Sequence, residues 1–285
     1  MTGGGGLPDL LGLAELGEGR YRATQPAQSP EGRDVLYSGQ LLAQILMAAD
    51  RAGGGTKDVR SVHAVFARAG STARPLELQV ESLHGGRTWA SDTVTAVQEG
   101  RVLCRALVLS CTVDADLMRH DPDPPAGARR PEELAAGAGL VFPGAEVRPV
   151  PGEPTAAGAP LELAWHRFGG PLPEPTDHQA AHQAVLTWAT CGSIIGLAMR
   201  PHRDTVRLAD AHRTLSTGVI AHTIHFADRL DARQWLLVAT EGTKAASGRV
   251  LGGGRVFTAD GTLVAVFEQD SMAKAADRPM DGSGL

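Results

Sequence analysis

The chain has 285 residues, 42% of them apolar, with a formal charge of −5 at pH 7. That length suits two domains of ordinary size, and the interspersed charges, with no basic run or basic–aromatic stripe, exclude nucleic acid as a natural partner. Cys104, Cys111 and Cys191 are odd in number and widely spaced, which argues against a zinc cluster and against a secreted disulfide framework. No apolar run reaches the ~18–20 residues of a membrane span, and the opening "MTGGGGLPDLLGLAEL" lacks the charged and apolar regions of a signal peptide. These features set the expectation of a soluble, cytoplasmic protein that holds no metal and has no membrane or nucleic-acid partner.

In chain order, "SGQLLAQILMAADR" (38–51) predicts a helix with Leu41, Leu42, Ile45, Leu46 and Ala49 on its apolar face, ended by Gly53–Gly55. Strand-like segments follow: "VRSVHAVFA", "PLELQVESL" and a hairpin, "WASDTVTAVQEGRVLCRALVLSC". From residue 114 the composition turns to Pro, Ala and Gly. Residues 116–160 read as a linker with at most a short turn near 131–136, between an N-terminal unit (1–115) and a C-terminal unit (161–285).

The second unit repeats the order of the first. A helix containing "LTWATCGSIIGLAMRPH" (186–202) runs to Pro201, with small residues Thr190, Cys191, Gly192 and Ser193 at its centre. It is followed by "GVIAHTIHFAD", "WLLVATEGT" and the hairpin "GRVFTADGTLVAVFEQD". Placing Gly100 on Gly261 matches Val102, Cys104 and Ala106 with Leu263, Ala265 and Phe267; placing His63 on His222 matches the strands that follow the helices. A helix and antiparallel strands, duplicated, predict an α+β chain of the double hotdog class. In that class two tandem hotdog units, each a long helix wrapped by a curved antiparallel sheet, join as a pseudo-dimer.

Taken in order, "YSGQLLAQILMAAD", "VHAVFARAG", "GRTWASDTVTAVQEG", "PHRD", "WLLVATEG" and "SGRVLGGGRVFTADGTLVAVFEQD" resemble the acyl-CoA thioesterase II (TesB-like) family. The resemblance covers most of the chain apart from the linker and tail. It implies thioester chemistry on acyl-CoA, with no cofactor, in a site where an Asp, a Thr and a Gln hold the attacking water. Counted from Pro201 and His202, the Asp position falls on Cys191. The Thr position falls on Val219, and the Gln position on Gln269, so one of the three is retained.

Gln269 shares a strand face with Leu263, Ala265 and Phe267, while the matching residue of the first unit is Val108; a polar group present in one copy only marks it as functional. Cys191 and Val219 read as walls of the site, because a nucleophilic Cys191 needs a lowered pKa and a nearby base. His63, His182 and His225 are candidate replacement bases, with a structural role weighed for His63 and His222, and Ser216 and Thr217 are candidate replacement hydroxyls. Loss of the acid and hydroxyl together favours an acyltransferase that moves an acyl group from acyl-CoA, or an acyl carrier protein, to a small-molecule alcohol. The alternatives are hydrolysis of acyl-CoA by a thioesterase and non-catalytic binding of acyl-CoA, and further homo-oligomer assembly is compatible with each.

Overall fold

A computed structural model describes residues 6–25, 34–137, 144–151, 160–173, 175, 178–206 and 211–276. Its helices are α1 (Leu7–Leu11), α2 (Ser38–Ala52), α3 (Gln179–Thr190) and α4 (Ser193–Met199), followed by a single turn at Ala211–Thr214. The first-half strands are β1 (Leu13–Gly17), β2 (Arg20–Ala23), β3 (Asp58–Phe66), β4 (Leu76–Gly85), β5 (Trp89–Gln98) and β6 (Arg101–Cys111). The second-half strands are β7 (Ala145–Val150), β8 (Leu161–Phe168), β9 (Leu215–Phe226), β10 (Leu236–Ala246), β11 (Arg249–Thr258) and β12 (Leu263–Ala275). All lie in one antiparallel sheet of order β1-β2-β4-β5-β6-β3-β9-β12-β11-β10-β8-β7, so the halves meet where β3 pairs with β9. This is the double hotdog.

Helix α2 is buried along nearly its whole length, from Gly39 to Asp50, because the sheet wraps one side while α3 packs on another. Leu42, Ile45 and Leu46 are fully buried, and each such side chain contributes about 1.5–3 kcal/mol. The buried Gln44 is tolerated because its amide donates to the carbonyls of Leu10 and Thr24. The two helices run antiparallel and are clasped at both ends. At one end His178 Nε2 lies 2.7 Å from Asp50 Oδ2, and at the other Ser38 Oγ lies 3.2 Å from Cys191 Sγ.

Two elements differ from the sequence-based expectation, the strand at 145–150 and the helix over 186–202. Residues 145–150, read as part of the linker, form β7; Pro149 within it is tolerated because β7 is an edge strand. The short turn expected near 131–136 is present as a 3₁₀ turn at 131–133 whose Pro131 is buried. The helix over 186–202 is broken: Cys191 is extended (φ −87°, ψ 131°) and Gly192 takes a left-handed conformation (φ 97°), so α3 stops and α4 starts anew. The "GGGR" run lies in β11, where a Cβ on Gly252 would come within 2.4 Å of Glu241 O and 2.7 Å of Ile194 Cγ2. Glycine there lets α4 sit directly on the sheet, which fixes the position of the break. Among the described residues no helix is long and apolar enough to cross a membrane.

The pairing also corrects the register of the repeat. Phe66 faces Cys104 and Phe226 faces Ala265, so Val62 corresponds to His222 and His63 to Thr223. Matching the two histidines by type shifts β3 by one residue, and a one-residue slip exchanges the faces of a strand.

Candidate active site

The buried face of the β9–β12 pair carries the polar groups that the first half lacks. Val62 faces Val108 in the first half; the corresponding pair in the second is His222 and Gln269, 1% and 0% exposed. Two buried valines have become two buried polar side chains, and each polar group then needs a partner.

Gln269 finds three. Its Oε1 accepts the N–H of Gly192 at 3.0 Å, its Nε2 donates to Ser271 Oγ at 2.9 Å, and Oε1 also lies 3.3 Å from His222 Nδ1. The left-handed Gly192 supplies this N–H: the helix break turns the peptide toward the sheet, and a Cβ at this position would lie 3.0 Å from the Tyr37 hydroxyl. Tyr37 closes the break from the other side by donating to the Cys191 carbonyl. The site thus assembles from the α3–α4 break, the start of α2 and the middle of the β9–β12 pair.

Cys191 is fully buried, its thiol beside Ser38 Oγ, and burial pushes its pKa up to about 12. A thiol held neutral is no nucleophile at pH 7. Val219 packs against the core and pairs with Ser271 across a bulge at residue 220. That bulge returns Val219 to the buried side and sends His225 to the exposed side, so the two do not share a face. Ser216 and Thr217 pair with Lys274 and Ala273 farther along the strand; the register does not slip to put either in place of Val219.

The histidines expected as bases lie elsewhere. His63 and His225 are exposed on the outer face, their rings 4.9 Å apart, and His63 contacts Ser61 and Thr223. His182 is buried, but its Nδ1 accepts the N–H of Ala232 at 3.1 Å beside Asp231, fixing the connection between β9 and β10. The groups on Gln269 are instead His222, Ser271 and Gly192, with Tyr37 and Ser38 on the neighbouring Cys191. Of these, His222 is discernible in the sequence, because comparison with its true counterpart Val62 shows a second one-sided polar substitution.

Burial pulls the His222 pKa down to about 4, with Gln269 opposing weakly. In the unfolded chain the ring protonates near the ordinary 6.5, so stability due to its neutral form is complete above that value and is lost as pH falls toward 4. Denaturant melts at pH 7 and pH 4.5 are expected to show the native chain losing about 2–3 kcal/mol more than His222→Asn. Equal losses would mean that the ring is hydrated in the folded state.

Two family models match the chain in succession: the acyl-CoA thioesterase N-terminal domain over residues 25–113 and acyl-CoA thioesterase over residues 144–272. The chain is 25% identical to acyl-CoA thioesterase 2 of Haemophilus influenzae over 262 residues, covering 85% of this chain and 88% of the relative. It is also 25% identical to human acyl-coenzyme A thioesterase 8 over 296 residues, covering 93% and 88%. The crystal structure of the acyl-CoA thioesterase II TesB2 from Mycobacterium marinum superposes with a TM-score of 0.79 at 27% identity, covering 95% of this chain and 99% of that one.

The expectation of acyl transfer to an alcohol is overturned by these matches, since both models and the named relatives are thioesterases. The lack of an acid and a hydroxyl at the positions that the resemblance assigns to Cys191 and Val219 is too small a signal to set against similarity running through both halves. The chain belongs to the acyl-CoA thioesterase II family.

Proposed function

We propose that the protein hydrolyses acyl-CoA to free acid and CoA at the helix break. The observation that carries this reading is the His222–Gln269 pair, which stands where the first half has two valines and is tied to Gly192 N–H. A structural core gains nothing from such a pair: each buried polar group left imperfectly paired costs about 1–3 kcal/mol. Gln269 Nε2 has two hydrogens and gives one to Ser271. The second holds the water or the developing oxyanion, and first-turn N–H groups of α2 at Ser38 and Gly39 offer further donors beside Cys191. Water is the acceptor, and the chemistry draws on side chains and backbone N–H groups.

The test is CoA release from a panel of acyl-CoAs in buffer, with mass spectrometry of the products. Free acid and CoA in equal amounts, with no ester when alcohols are added, is the expected result. Binding of acyl-CoA without CoA release at any chain length would replace this reading with a non-catalytic binding role.

A further inference from the structure

We propose that His222 Nε2 accepts the proton of the attacking water. This rests on the hydrolytic reading and names the base that reading lacks.

The backbone N–H of Gly192 can only donate, so the Gln269 atom that it meets at 3.0 Å is the amide oxygen. The opposite end is then the NH₂ group, consistent with its 2.9 Å bond to Ser271 Oγ. That same oxygen lies 3.3 Å from His222 Nδ1, and two acceptors do not bond, so Nδ1 carries the hydrogen. The neutral ring therefore has its lone pair on Nε2.

Nε2 is buried and has no hydrogen-bond partner among the described residues. A proton acceptor of this kind, in a ring 1% exposed, stands one imidazole away from the oxygen that anchors the helix break. Phe267 stacks on the ring at 6.1 Å and 20° and fixes its plane. The Cys191 thiol at the break stays neutral, with its pKa pushed up to about 12. With its own pKa near 4, His222 is unprotonated at pH 7 and has the basicity of an ordinary carboxylate.

The step balances. The water oxygen bonds to the thioester carbonyl carbon while one of its protons passes to Nε2. The tetrahedral intermediate then collapses with cleavage of the C–S bond, and the proton on Nε2 neutralises the departing CoA thiolate. Protonation at Nε2 leaves the Nδ1–H bond to Gln269 in place, so the imidazolium keeps its partner.

The discriminating variant is His222→Asn. An Asn amide reproduces the Nδ1–H donor to Gln269 but has nothing at the position of Nε2. The expected result is a fall in kcat of about 10²-fold with KM within about threefold, and restoration of at least a tenth of the lost rate in His222→Ala by added imidazole. A folded His222→Asn that retains wild-type kcat would show that the ring only positions Gln269 and would overturn the proposal, leaving the hydrolytic reading intact. If His222→Asn does not fold, the imidazole experiment decides: His222→Ala that binds acyl-CoA but gains no rate from imidazole overturns it equally. A wild-type chain that releases no CoA removes both the reading and the proposal.

Discussion

Gln269→Ala is expected to lower kcat for acyl-CoA hydrolysis about 10³-fold, the largest single loss available at this site. Three bonds disappear together: the acceptor for Gly192 N–H, the acceptor for His222 Nδ1–H and the donor to Ser271. The free second hydrogen of the amide goes with them. Removal of one preorganised donor to a developing oxyanion typically costs 10²–10³ in kcat, and an unanchored base adds to that. Stability should fall by only about 1–3 kcal/mol, the cost of stranding polar groups in a dry site. The control is the mirror position. Val108→Ala truncates a residue 1% exposed at the same place in the other half, and should lower stability by a similar amount while leaving kcat within about twofold. Equal kinetic effects at the two positions would mean that Gln269 is a packing residue and that the asymmetry between the halves has no chemical meaning.

The duplication is legible in the sequence because helix, strand and turn order are coarse features that survive divergence. Face and register are finer, and they fail in specific ways. Matching His63 with His222 by residue type shifts β3 by one, and period 2 turns that slip into an exchange of buried and exposed sides. The bulge at residue 220 defeats the inference that Val219 and His225 share a face, since a bulge resets the alternation. The break at Cys191–Gly192 is visible as a run of small residues within a helical pattern, but composition alone does not say that Gly192 is left-handed. Strands β1, β2 and β7 are short and lie at or near the sheet's edges, where little burial is imposed and alternation is weak.

Within the site, Gln269 stands out because its counterpart Val108 aligns correctly, whereas a misaligned counterpart hides His222. A polar residue facing the core of one copy, opposite an apolar residue in the other, is a signal that depends wholly on register. Ser38 and Tyr37 carry no such signal. They reach Cys191 from 153 and 154 positions away in sequence, through the packing of α2 on α3.

Cys191→Asp combined with Val219→Thr is expected to restore about 10²-fold in kcat to the His222→Asn protein, the general-base contribution that His222→Asn removes. The thiol of Cys191 sits 3.2 Å from Ser38 Oγ, so a carboxylate on the same backbone finds a hydroxyl donor already in place. Thr at position 219 adds a hydroxyl opposite Ser271, the partner of Gln269. The amide introduced by His222→Asn keeps Gln269 in register, so the restored acid meets an intact water site with the old base removed. The new carboxylate is buried, since Cys191 is 0% exposed, and desolvation should raise its pKa. Its activity should therefore climb with pH as the acid ionises, unlike that of the wild type, whose base is unprotonated from above about pH 4. Folding stability at pH 7 should also fall, by about 2–3 kcal/mol, because a charge is held in a dry place. Rescue with that pH profile would show that two chemically different bases, approaching from α3–α4 and from β9, serve one water. A folded variant that stays at the His222→Asn level would instead show that the break no longer lies within reach of the thioester, and that the Asp position was abandoned for geometric rather than chemical reasons.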